Sequence, residues 1–160
     1  MDRFRLPKSV DFHLPSALVG LGSKHKNLYL IIKGNVDEYL RGQMDLKILM
    51  TIVDNIDKTK GLGFSESMRI IGNLMAYLRI KLLSKDYIII EMTAVLLDVL
   101  VKNCQYRVHI FVSRKMFVKT YCFVMRQMLT DTRQTHQRAG KQFDSVVAID
   151  ALFNIRLYFM

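Results

Sequence analysis

Cys104, Cys122 and four histidines are the side chains of this 160-residue chain best equipped for nucleophilic, acid–base or metal-ligand chemistry, and their spacing leaves them without company. The two thiols stand 18 residues apart, with no CxxC and no Cys/His cluster. That pattern argues against both a zinc site and a disulfide framework and fits a reducing, intracellular setting. No nucleophile elbow, HExxH, Walker loop or paired-carboxylate signature is present, and Gly61-Leu62-Gly63 breaks a loop without the rest of a phosphate cradle. Catalysis is therefore the least supported class of function, and no cofactor is expected.

Charge is the more informative chemistry. Residues 1–101 carry 14 Lys/Arg against 11 Asp/Glu, whereas residues 102–160 carry 10 against 3, so most of the net +10 lies downstream. Between Lys102 and Phe143 the only acid is Asp131. Such a stretch suits an acidic peptide, an anionic lipid headgroup or a nucleic acid, or else forms a solvated basic face with no partner. RNA or polymerase-tail binding fits the charge but lacks an aromatic stacking surface or an RNA motif.

The elements that must position these groups read as helices. Both prolines, Pro7 and Pro15, fall early, so residues 1–23 form an extended arm and residues 24–160 a single domain. No signal-peptide core is visible, because charges and both prolines interrupt the N-terminal apolar stretches, and no membrane-spanning stretch, because Glu91, Asp98 and Lys102 interrupt the most apolar runs. Breakers at Gly34-Asn35, residues 57–63, Ser84-Lys85, Asn103-Cys104, Asp131 and residues 140–145 divide the domain. Leu46, Leu49, Met50 and Val53 share a helical stripe behind a capping Asp45. Met68, Ile71, Met75, Leu78 and Leu82 do the same behind Ser65. Residues 86–103 include the β-branched run Ile88 to Ile90, yet their length predicts a helix enclosed by other helices. Lys115 to Leu129, Thr132 to Phe143 and Val146 to Tyr158 complete the set, and VHIFV at residues 108–112 has strand propensity without a partner strand. Successive helices each burying a stripe make a stacked superhelix or bundle.

Three pieces on that frame resemble a VHS domain: LKILMTIVDNID from Leu46, TAVLLDVLVKNC ending at Cys104, and His109 five residues later. IIKGNVDEYL also resembles the family's first helix and its turn into the second, and the likeness covers residues 27–128. Where the family usually has glycine after the cysteine, this chain has Gln105. The resemblance implies an all-α, right-handed superhelix of about seven or eight antiparallel helices, as in the ENTH/VHS superfamily. It implies a non-enzymatic, cytoplasmic module of protein transport, peripheral to endosomal or Golgi membranes. Sorting adaptors of this kind engage ubiquitin through the second and fourth helices or acidic dileucine signals between the sixth and eighth.

Carried onto this chain, the ubiquitin site maps to Leu46 and Met50, with Leu46 where the family often places a tryptophan; either the two form an apolar patch or they pack inward. An acidic ligand or anionic phosphoinositide membrane maps to Arg114, Lys115, Lys119 and Arg126 on what the resemblance makes the sixth helix. Asp54, Asn103, Cys104 and His109 read as structural: Asp54 pairing with Lys58 or accepting backbone amides, Asn103 ending its helix, Cys104 buried, His109 closing the turn.

Overall fold

The computed structural model describes residues 23–42, 45–111, 114–130, 137–138 and 141–159, with side chains described for 26–42, 45–104, 119–128 and 143–157. The chain is all-α. The described residues form six α-helices, α1 (Ser23–Arg41), α2 (Leu46–Asp57), α3 (Phe64–Leu82), α4 (Tyr87–Phe111), α5 (Arg114–Thr130) and α6 (Ser145–Phe159). A 3₁₀ turn at Lys58–Gly61 joins α2 to α3. A two-residue antiparallel ladder, β1 (Gln137–Arg138) on β2 (Lys141–Gln142), precedes α6 and stands where Thr132 to Phe143 is expected to be helical. The arm expected over residues 1–23 lies outside the described residues except Ser23, which opens α1.

Helix α4 is the axis of the molecule. It packs against α1, α2, α3 and α6, which is why apolar residues surround it on nearly every side. Ile88 and Ile90 are fully enclosed, as is the run Met92, Ala94, Leu96 and Leu100. Asp86 starts the helix by accepting the Ile88 amide at 2.9 Å, so the β-branched run is consumed by helix–helix packing and not by a sheet.

One expected joint is bridged and another is a kink. Gly34 and Asn35 lie inside α1, because residues beyond them are needed in the core: Val36, Tyr39 and Leu40 are buried, and the Tyr39 hydroxyl donates to the Met92 carbonyl at 2.8 Å. Asn35 accepts from the Asn55 side chain at 2.9 Å and so stitches α1 to α2. The Asn103-Cys104 break falls where expected: the Asn103 amide bonds back to the Val99 carbonyl at 2.8 Å, and non-helical Cys104 (φ −121°, ψ 27°) kinks α4 between a segment ending at Asn103 and a second helical segment that runs to Phe111. Residues 108–111 are accordingly helical rather than extended.

Helix α3 begins one residue ahead of expectation. Gly63 is its cap, Ser65 is exposed within the first turn, and Ser67 is the buried serine, donating to the Thr59 carbonyl at 2.9 Å. Its buried face is Ile70, Ile71, Leu74, Met75, Leu78 and Leu82, with Met68 turned outward. Tyr77 clamps α3 to α1: its hydroxyl donates to the Asp37 carboxylate, Lys33 pairs with Asp37 at 3.1 Å, and the Lys33 and Lys81 ammoniums lie 4.7 and 5.1 Å from the ring centroid. At the other end of the chain, Asp144 caps α6 by accepting the Val146 and Val147 amides, while its own amide donates to the buried Glu91 carboxylate at 2.7 Å.

Candidate functional site

Helix α2 owes its position to a cap and a stripe. Asp45, in extended conformation, accepts the Lys47 amide at 2.8 Å and satisfies one of the orphan donors of the first turn. Leu49, Ile52, Val53 and Ile56 then bury against α1 and α4. Leu46 and Met50 belong to the same apolar run but stay in water, 68% and 39% exposed. Of the two alternatives for this pair, the outward one is observed.

The partner of this flank is set by chemistry further along α2. Asp57 falls within about 40° of Leu46 and Met50 around the helix axis. Its Oδ1 lies 3.9 Å from Cys104 Sγ on α4, and the same sulfur lies 3.9 Å from the Val53 carbonyl oxygen. The flank bearing Leu46 and Met50 is therefore the one turned toward α4. The α2–α4 pair presents a two-residue apolar step at the start of α2, edged by the exposed Lys47, Thr51 and Asp54.

Cys104 is held as a thiol. Burial, followed by the charge of Asp57, pushes its pKa up to about 11, with Asp54 adding to the rise and Lys60 opposing it. A thiol so held is a weak nucleophile at neutral pH, and its role is to seat the α4 kink on α2. The carboxylate that touches it is Asp57 and not Asp54. The Asp54 carboxylate is exposed and, among the described residues, pairs with neither Lys58 nor a backbone amide, while its main-chain carbonyl accepts the Lys58 amide and Asp57 takes Lys60 at 3.6 Å. Among the described residues no group of three or more His, Cys, Asp or Glu could hold a metal ion.

The basic candidates separate. Lys119 and Arg126 are both exposed on α5, seven residues and so about 10 Å apart on one side of the helix. Arg114 and Lys115 lie in its first turn, and His109 near the end of α4; their side chains are outside the described ones. Sequence reasoning passes over Phe123, 46% exposed between Lys119 and Arg126. Its signal is the spacing i, i+4, i+7 on a helix without acids, legible once Thr120, Val124 and Met128 are known to face inward.

No helix among the described residues is long and apolar enough to cross a membrane. Comparison with protein-family models, with curated proteins and with solved structures finds no match.

Proposed function

We propose that this chain is a non-enzymatic protein-binding module of intracellular vesicle traffic. Within that class we propose a VHS-type domain, a right-handed superhelix of about seven or eight helices that reads ubiquitin on cargo at the cytoplasmic face of endosomal or Golgi membranes. The observation that carries the reading is the outward placement of Leu46 and Met50 on the flank of α2 turned toward α4. The residues there, LKILMTIVDNID and the Asn103-Cys104 pair, are those on which the resemblance rests. An exposed apolar step that the core leaves uncovered beside charged residues is what a small protein with its own apolar patch can cover.

Magnitudes follow from the exposures. Fully burying a Leu or Met side chain contributes about 2 kcal/mol, so the exposed fractions of Leu46 and Met50 together offer about 2 kcal/mol, or roughly thirtyfold in Kd. Calorimetric titration of ubiquitin into the wild-type chain and into Leu46→Asp/Met50→Asp tests this. A roughly thirtyfold or greater loss supports the site; equal affinity, or no binding by the wild type, removes the ubiquitin reading.

A second reading, recognition of acidic sorting signals, is favoured by one observation: Lys119 and Arg126 stand exposed together on a helix that carries no acid from Arg114 to Thr130. The same titration with an acidic dileucine peptide, against Lys119→Gln/Arg126→Gln, separates it from the first.

A further inference from the structure

Helix α6 is apolar on two opposite sides, and the core accounts for only one of them. Ala148, Ala151, Leu152 and Ile155 are buried where the helix packs on α4 and α5. Diametrically opposite, Val146, Asp150, Phe153 and Leu157 fall within about 60° of one another around the axis and make a stripe about 17 Å long. Val146 and Leu157 are 74% and 61% exposed, Phe153 is half exposed, and exposed Val147 borders them. Single apolar side chains on a surface are ordinary, whereas a run at spacings of three and four is the pattern of a helix face that another element covers.

Asp150 selects the kind of element. It sits inside the stripe, one turn from Val146 and one from Phe153, is exposed, and pairs with no Lys or Arg among the described residues. Asp144, just ahead of the helix, is engaged with the Val146 and Val147 amides. Covering the stripe therefore encloses one carboxylate in an apolar seam, which is tolerated opposite a cation and costly otherwise. A second copy supplies the wrong charge: two-fold pairing through this stripe sets Asp150 against its mate when the helices are parallel, and within about 5 Å of it along the axis when they are antiparallel. A bilayer supplies no charge, and draws the carboxylate toward acyl chains unpaired.

We propose that this stripe receives an amphipathic helix of another protein, apolar at spacings of three and four and carrying one Lys or Arg within its apolar face, set against Asp150. A single polar pair inside an apolar seam fixes the register of the two helices. Arg156, whose guanidinium lies 5.6 Å from the Tyr121 ring centroid, edges the stripe on the side away from Val147 and suits an acidic residue beside the incoming apolar face. The stripe shares no residue with the Leu46–Met50 flank, so its failure and that of the ubiquitin site are independent.

Fluorescence anisotropy of two synthetic peptides titrated with the full chain is the test. One is an alanine-rich helix with leucines at spacings of three and four and a single lysine within the leucine stripe; its twin has glutamate in place of the lysine. The wild type should bind the lysine peptide at least about fivefold more tightly than the twin, and Asp150→Lys should invert that order. Phe153→Ala, which forfeits the exposed half of a ring, should weaken binding of the lysine peptide about tenfold. No saturable binding of the lysine peptide, equal affinity for the two peptides, or indifference to Phe153→Ala overturns the proposal. So does a dimer in sedimentation velocity that Phe153→Ala dissolves, or partition onto phosphatidylcholine vesicles that the same variant abolishes.

Discussion

Replacing Glu91 should unhinge α6 before anything else. Glu91 is 1% exposed in the middle of the molecule, and its Oε1 accepts the Asp144 amide at 2.7 Å, immediately ahead of the turn that Asp144 caps. A hydrogen bond to a charged acceptor contributes about 1.5–3 kcal/mol. Truncating the enclosed methylenes to a methyl adds a cavity cost of about 1 kcal/mol, so Glu91→Ala should lose about 3 kcal/mol in all. For a chain of this length, 1 kcal/mol moves the midpoint of thermal unfolding by about 2–4 °C, which puts the shift at roughly 10 °C. Glu91→Gln retains an accepting oxygen and loses only the charge, and should fall by about 3 °C. Thermal unfolding followed by circular dichroism reads the midpoints, and amide exchange locates the damage. Protection should drop first at Val146 to Ile149. A Glu91→Ala midpoint equal to wild type, or exchange that accelerates evenly over all helices, would refute the assignment of Glu91 as the tie between α4 and α6.

Other consequences follow from the same geometry. Gly34→Ala should stabilise the chain by about 0.5–1 kcal/mol in urea unfolding, because Gly34 lies inside α1 and an added Cβ meets nothing within 4 Å; a loss of stability would mean that α1 is broken there. Exposed Cys122 should react with iodoacetamide at neutral pH while Cys104 stays protected in the folded chain, as quantified by mass spectrometry. The Cys104 pKa is raised in the fold, so its contribution to stability is complete below the ordinary thiol range and is lost as pH climbs toward about 11; Cys104→Ala should flatten that alkaline limb of the stability profile. Leu46→Asp/Met50→Asp should leave the unfolding midpoint nearly unchanged, within about 0.5 kcal/mol per substitution, since both side chains already face water.

Much of the helical plan could be read from the residues alone. The stripes of α2 and α3 announce themselves at spacings of three and four, and the length of the segment around Ile88 to Ile90 decides helix over strand correctly. Asn103-Cys104 does interrupt the helix, as a kink, whereas Gly34-Asn35 carries breaker chemistry yet is traversed because its neighbour Tyr39 reaches Met92. That partner, 53 residues away, outweighs a local preference of about 1 kcal/mol. Within the segment from Thr132 to Phe143 the described residues include a short ladder, Gln137–Arg138 on Lys141–Gln142, instead of a helix. The candidate site was only half legible. Leu46, Leu49, Met50 and Val53 look alike in a helical repeat, and the positions of α1 and α4 are what decide that Leu49 and Val53 turn inward while Leu46 and Met50 do not. Likewise Asp54 and Asp57 are equivalent by composition, but only Asp57 meets the thiol.

The central functional claim, that the α2 flank facing α4 receives ubiquitin, is tested most directly by an amide-shift titration of the assigned chain with ubiquitin. Resonances of Leu46, Met50 and Asp54 should move together and saturate at one Kd, with those of Lys119 to Arg126 left in place. A titration in which α2 stays silent would contradict the claim, whichever other residues respond.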